Sequence, residues 1–253
     1  MSIDCKFLGQ CGFIIEAENL RLAIDPCLCD LIENGTSIRN YPPVMAAEDL
    51  NADYILCTHD HIDHLAVETV SKAAAYSKTK FIVPEGCVEI LTELGISSDR
   101  ITGIADQETK VFEKFSVKGI STAHPVHQKD SNGKDRNLAF AISIDDRQIV
   151  HLGDTYYTDR LEKALKELNA IDIFIVPING MDDEKAKAGI IGNLSIEEAV
   201  DLCSKLDVAN AVPSHFDMVK GNTADPIEFE KLMKEKCPEQ KVWIPELDKA
   251  FQF

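Results

Sequence analysis

Six consecutive positions, 59 to 64, carry four side chains that ligate metal ions: His59, His61, Asp63 and His64. They lie in Thr58-His59-Asp60-His61-Ile62-Asp63-His64, directly after the apolar segment Tyr54-Ile55-Leu56-Cys57. The spacing predicts a helix next, over Leu65 to Tyr76. A turn at the C-terminal end of a strand is where α/β folds place their sites. Neutral imidazole is the commonest protein ligand for a metal, and a carboxylate adds an anionic one. If the turn stays extended, His59 and His61 point the same way, and Asp63 and His64 turn toward a second ion. One histidine alone would read as a solvated polar turn. Four ligand types at this spacing do not.

Three other apolar strands end on a potential ligand. Ser121-Thr122-Ala123-His124 follows a strand over Phe115 to Ser121, His151-Leu152-Gly153-Asp154-Thr155 follows Gln148 to Val150, and Val212-Pro213-Ser214-His215 closes a strand near the C-terminus. All seven histidines of the chain fall in or beside these four segments. Histidines kept for packing would scatter more evenly.

The remaining pattern reads as one domain over residues 1–253. Short β-rich runs open the chain (Cys5 to Leu8, Phe13 to Ala17, Leu20 to Ile24), and strand–helix units follow. The middle returns to strands, and strand–helix units close the chain. Helices are expected over Glu85 to Leu94, Asp159 to Leu168 and Pro226 to Lys236. Another begins at Ser195, with Glu198 placed to complete a capping box. Residues 26–49 read as a long irregular stretch containing Asn34-Gly35. Lys185-Ala186-Lys187-Ala188-Gly189 reads as part of a loop forming a mobile rim. Two similar halves, each a sheet with covering helices, make the fold α/β (α+β). A four-layer αββα sandwich is the simplest packing that buries both sheets.

Composition narrows the partners. The 253 residues are 45% hydrophobic, enough for a sizeable core. No apolar run is long enough to span a membrane, and the first residues lack a secretory pattern, so no membrane role and a cytoplasmic location are expected. The net charge of -17 argues against nucleic acid and leaves a small molecule as the expected substrate, an anionic one being compatible with bound cations. A homo-oligomer is compatible with the sequence. Eight scattered cysteines suit reduced, buried thiols. For Cys27 and Cys29, a soft-metal or redox pair is set against two incidental loop thiols, and the absence of a second pair favours the latter.

At these residues the chain resembles the metallo-β-lactamase fold superfamily, whose signature is His-x-His-x-Asp-His followed by a later His, Asp and His. His59, His61, Asp63, His64, His124, Asp154 and His215 match it, and the resemblance runs from Phe7-Leu8-Gly9 to about Lys236. It implies one metal on His59, His61 and His124, another on Asp63, His64 and His215, and Asp154 bridging both. Asp25 reads either as a carboxylate orienting a ligand histidine or as a strand-end turn residue. Asp135-Arg136-Asn137-Leu138-Ala139-Phe140, Val150-His151-Leu152-Gly153-Asp154-Thr155 and Val212-Pro213-Ser214-His215-Phe216-Asp217 are similar to the L-ascorbate-6-phosphate lactonase branch. Uncharacterised metal-dependent hydrolases of the superfamily are equally close.

The resemblance implies two zinc or manganese ions and hydrolysis of a small ester or lactone, a sugar-acid phosphate lactone among them. The alternative is a phosphodiesterase acting on a small or cyclic nucleotide. Asp63 is the expected proton carrier. His127 is read as a substrate contact or proton donor, and Arg136 as a bidentate anion contact, with Lys129 and Lys134 nearby. Tyr156, Tyr157, Asn179 and Gly180 are candidate pocket walls, and His151 a packed residue behind the site.

Overall fold

Alternating side chains in the opening strands face two different cores. β1 (Asp4–Gly9), β2 (Gly12–Ala17) and β3 (Leu20–Ile24) form an antiparallel meander, in a computed structural model that describes residues 2–253. Phe13, Ile15, Leu22 and Ile24 enter the core shared with the second sheet, while Ile14 and Ala23 enter the core beneath the helices. That is the two-residue period of a strand buried on both faces.

A small hairpin follows, β4 (Ile32–Glu33) and β5 (Thr36–Ser37). Its two-residue turn is Asn34-Gly35, with φ of 49° and 74°, the left-handed pair that matches the twist of a hairpin. This is order within a stretch expected to be irregular. The signal was present in Asn-Gly, but its flanks carry no apolar alternation.

β6 (Tyr54–Leu56), α1 (Val67–Tyr76), β7 (Lys80–Pro84), α2 (Val88–Glu93) and β8 (Ile101–Ile104) add parallel strands with helical crossovers. The expected helix over 85–94 divides into a 3-10 turn at Glu85–Cys87 and the short α2. Next come β9 (Thr109–Val111), β10 (Ser116–Ser121), β11 (Leu138–Ile144) and β12 (Arg147–His151), all antiparallel neighbours. α3 (Asp159–Lys166), β13 (Ile171–Pro177), α4 (Asp183–Lys187), α5 (Ile196–Ser204), β14 (Val208–Ser214), α6 (Pro226–Lys236), β15 (Lys241–Val242) and β16 (Ala250–Gln252) complete the chain. The capping box at Ser195 and Glu198 is formed.

The order is β16-β1-β2-β3-β6-β7-β8 in one sheet and β15-β14-β13-β12-β11-β10-β9 in the other. Each sheet joins an antiparallel block to a parallel block, so the halves are alike, as the element order implied. β13 is almost continuously buried, as a parallel strand covered on both faces must be. Phe7, Phe13 and Phe140 fill the space between the sheets. α1 and α2 cover one outer face through Val70 and Leu91. α3, α5 and α6 cover the other through Leu161, Val200 and Phe229. These are the four layers of an αββα sandwich.

α1 follows the ligand turn, and Arg100 anchors its far end. The guanidinium donates to the carbonyl oxygens of Thr79 (2.9 Å), Ala74 (3.0 Å) and Ser77 (3.1 Å). A helix C-terminus leaves carbonyls without partners, and a planar five-donor fork satisfies several at once. Arg100→Ala is expected to lower the free energy of urea unfolding by about 2 kcal/mol, and Arg100→Lys to recover less than half of that. A loss below about 0.5 kcal/mol, the scale of an ordinary surface change, would show that the fork does not hold the helix.

Candidate metal centre

The ligand candidates sit at strand ends that share one edge of the sandwich. Asp25 follows β3 and the 58–64 turn follows β6, both in the first sheet. His124 follows β10, Asp154 follows β12, and His215 follows β14, all in the second. The end of β6 is stitched to the second sheet where Leu138 N donates to Thr58 O at 3.0 Å. Gly153 allows the closest approach. Its φ is 60°, and a Cβ there would stand 2.6 Å from Thr58 Oγ1.

Two groups of ligand atoms face each other: His59, His61, His124 and Asp154 offer atoms all within 4.8 Å of one another, as do Asp63, His64 and His215, and a third group, Cys11, His64 and Asp154, overlaps both. Asp154 stands between them. Its Oδ2 lies 3.3 Å from His124 Nε2 and from His215 Nε2, and its Oδ1 lies 3.2 Å from His64 Nε2. Asp63 Oδ2 lies 3.5 Å from His215 Nε2 and 3.7 Å from His64 Nε2.

A supporting layer orients these groups. Asp25 Oδ2 meets His64 Nδ1 at 2.7 Å, leaving Nε2 to face the centre. The same carboxylate accepts from Thr58 N and Thr58 Oγ1, each at 2.7 Å. Of the two readings of Asp25, the structure displays the orienting one, the usual partner of a ligand imidazole. His151 is fully buried; its Nδ1 accepts from Gly153 N at 3.0 Å and its Nε2 donates to Cys11 O at 2.8 Å. It ties the turn carrying Asp154 to the β1–β2 turn.

The charges suit cations. Burial, and then the neighbouring His64, hold His59 well below its usual pKa, and burial pushes His124 down to about 4. Both imidazoles are therefore neutral and able to coordinate. Burial would also lower His64 and His215, but the carboxylates outweigh it: Asp154 and Asp63 hold His64 well up and His215 up to about 9. Burial works against ionised Asp63 and Asp154, yet the imidazoles facing them keep both below the usual carboxylate range. His59 Nε2 is buried with no hydrogen-bond partner. An orphaned polar atom costs about 1–3 kcal/mol, which a coordinated cation removes. The residues fit a pair of divalent ions.

A cleft of about 380 Å³ opens over the centre. His61, Asp63, His124, Asp154 and His215 form its floor, and Leu31, Ile38, Ile62, Ile190, Ile191 and Val219 supply apolar walls. Neither His127 nor Arg136 lines it. The His127 ring bonds Ser121 Oγ at 3.0 Å through Nδ1, and the Arg136 guanidinium is paired with Asp60. Tyr156 stacks beside His124, whereas the Tyr157 hydroxyl turns away to Glu162. Lys129 is paired with Asp135, and Lys134 faces Glu85.

The expected mobile rim is built differently. Asp182 caps α4, and Lys185 is buried with its ammonium on the carbonyl oxygens of Asn179 and Gly180. Gly189 to Ile191 form the cleft wall beyond it. Asn179 braces the wall indirectly, donating to Asn222 Oδ1 at 2.7 Å. Lys185 was read as a loop residue because five residues carry too little helical period.

All eight cysteines are free and buried. Cys27 and Cys29 pack beside Arg39, whose Nη1 donates to their carbonyl oxygens at 3.1 and 3.0 Å. The hydrogen bond from Cys27 brings the Cys29 thiol down to about 6. Neither joins a metal-competent group among the described residues. Two residues that the sequence did not single out, Gln10 and Cys11, do reach the centre. Cys11 Sγ lies 3.9 Å from Asp154 Oδ1, but burial pushes its thiol well up and keeps it protonated. Their signal was Gly9-Gln10-Cys11-Gly12, a turn between glycines that carried no ligand spacing.

Comparison with known proteins places this arrangement. A UPF0173 protein of Pyrococcus abyssi is 27% identical over 246 residues, covering 93% of this chain and 91% of that protein. A UPF0173 metal-dependent hydrolase of the same organism is 27% identical over 239 residues, covering 93% and 94%. Among solved structures, the metallo hydrolase Igni18 of Ignicoccus hospitalis superposes with a TM-score of 0.77 at 20% identity, over 100% of this chain and 99% of that one. The beta-lactamase superfamily domain matches residues 21–216. That match takes in most of the chain, with strands of both sheets and His59 to His215, so this chain belongs to the beta-lactamase superfamily.

Proposed function

We propose that this protein is a metal-dependent hydrolase that uses two divalent ions, zinc or manganese, to cleave a small ester or lactone. One observation carries the reading: His59, His61, Asp63, His64, His124, Asp154 and His215 converge from two sheets beneath one cleft, with buried imidazole nitrogens that have no other partner. The hydrolase names of the Pyrococcus abyssi relative and of Igni18 agree with it. Such ions, when bound, supply Lewis acidity and bring a shared water toward neutral pKa.

The residues supply the rest. His59, His61 and His124 hold one ion, Asp63, His64 and His215 the other, and Asp154 serves both. Asp63 is the group placed to take a proton from the attacking water and return it to the leaving oxygen. It reaches the cleft, with about 15% of its side chain exposed, whereas Asp154 is at 3%. The apolar walls exclude water and receive the body of the substrate. Lys220 is the sole Lys or Arg on the cleft lining, which also carries Glu33 and Asp60, and its ammonium donates to Ser37 O at 2.9 Å. That balance favours a carboxylic ester or lactone over a phosphodiester, whose ionised group calls for more cationic wall. A sugar-acid phosphate would find its anion contact at Lys220 rather than at Arg136, which Asp60 already neutralises.

The test is a screen of lactones, esters and phosphodiesters against protein loaded separately with Zn²⁺ and Mn²⁺. His61→Ala is expected to lower kcat/KM by about two orders of magnitude or more, from the metal dependence of the step, and to lose one equivalent of metal while circular dichroism stays unchanged. Asp63→Asn should cost about 10²–10⁴-fold. Full activity in His61→Ala would refute the assigned centre.

Metal uptake should also depend on pH. Below about 9 the carboxylates keep a proton on His215 in the metal-free protein, so a cation must displace it. Affinity for Mn²⁺ is expected to rise from pH 6.5 to 9 and then level, with proton release visible by calorimetry in buffers of different ionisation enthalpy. A dissociation constant that stays flat across that window would count against His215 as a ligand.

A further inference from the structure

We infer that Gln10 is an additional ligand of the ion held by Asp63, His64 and His215, binding through its side-chain oxygen, and that this site is the oxygen-rich member of the pair. The inference rests on the reading that those three residues hold an ion.

Gln10 lies in the turn between β1 and β2 and is fully buried. The tip of its side chain points into the centre. Gln10 Nε2 stands 2.8 Å from Asp63 Oδ2 and 3.0 Å from His215 Nε2. These are the metal-facing atoms of both residues, since each also faces the rest of the cluster. Ligand atoms sharing one small ion lie about 3–3.5 Å apart, because each sits about 2.1 Å from it. The tip of Gln10 therefore occupies a ligand's position.

An amide has two orientations related by a half turn. With no cation, the amino group donates to Asp63 and sits against His215. With a cation among the same atoms, the amino group would be repelled and the carbonyl oxygen attracted. No hydrogen bond to Oε1 holds the amide in its present orientation, because Oε1 is buried without a partner.

The backbone is held for this purpose. Gln10 and His215 both adopt left-handed conformations, with φ of 57° and 58°, which cost about 1–3 kcal/mol each for residues other than glycine when the surroundings must enforce them. The two are locked together, His215 N donating to Gln10 O at 2.8 Å. Gln10 N donates to Asp217 Oδ1 at 3.1 Å, and Asp217 Oδ2 accepts from Tyr41 OH at 2.7 Å. A residue kept only for packing needs none of this.

The consequence is an unequal pair. One ion meets three imidazoles and Asp154. The other meets Asp63, Asp154 and the Gln10 carbonyl besides two imidazoles. Oxygen ligands favour harder ions such as Mn²⁺, and imidazoles favour Zn²⁺.

The test titrates chelated wild-type protein, Gln10→Leu and Gln10→Glu with Mn²⁺, following free Mn²⁺ by electron paramagnetic resonance. Gln10→Leu should weaken one of the two equivalents about tenfold or more, the scale on which ligand-supporting groups act, and leave the other unchanged. Gln10→Glu, which restores an oxygen, should bind that equivalent at least as tightly as wild type. Two equivalents bound by Gln10→Leu as tightly as by wild type would overturn the Gln10 assignment alone. A single equivalent in wild type would overturn the underlying two-ion reading with it. If Gln10→Leu fails to fold, anomalous diffraction from Mn²⁺-loaded wild-type crystals decides: an amide oxygen within about 2.4 Å of the ion supports ligation, and one beyond about 3 Å refutes it.

Discussion

The charge balance around Asp154 is the constraint on which the rest of the structure depends. Its carboxylate is almost fully buried, where an isolated negative charge would be costly. It is sustained by imidazoles from three strand ends, His64 from one sheet and His124 and His215 from the other. The pairing works only if both sheets end at the same edge and in the correct register. The sandwich thus acts as a frame that holds charged groups at fixed separations, and its apolar interior keeps water from screening them.

That requirement explains where the backbone is irregular. Gln10, Asp25, Gly153 and His215 all have positive φ, and each follows or lies beside a strand end at the centre. A regular strand would carry side chains straight on, alternately to either face. A left-handed residue turns the chain abruptly and aims the side chain inward. The cost is met by hydrogen bonds such as Thr58 to Asp25 and His215 to Gln10, and it concentrates where function demands particular directions. The Asp25–Thr58–His64 group shows the same logic one layer out, since the carboxylate fixes both the turn backbone and the ring facing the centre.

Much of this was legible in the sequence. The run His59 to His64 announced a cluster because four ligand types in six residues exceed what a surface turn needs. Strong elements were legible too: β3 over Leu20–Ile24 and α6 over Pro226–Lys236 lie where their apolar patterns and Pro226 start signal put them. Short elements were not. β4, β5, β8, α4 and β16 each span five residues or fewer, too few for a periodic signal to emerge, and they are stabilised by neighbours rather than by their own composition. The substrate contacts were the weakest part. Arg136, grouped in sequence with Lys129 and Lys134, reads as free to bind an anion in an acidic chain, yet folding brings Asp60 against it. His127 looked like a cleft residue because it follows His124 closely, yet its ring bonds Ser121.

By itself, the sequence determined the chemical class of the centre and the layered fold, because ligand types and apolar periods are local properties carried by neighbouring residues. Only the tertiary structure decided that Asp25 orients His64 and that Gln10 enters the centre. Each of those depends on a contact between residues far apart in the chain, as when Gln10 meets His215 across 205 positions. Such contacts are set by how two sheets pack, and no local spacing encodes them.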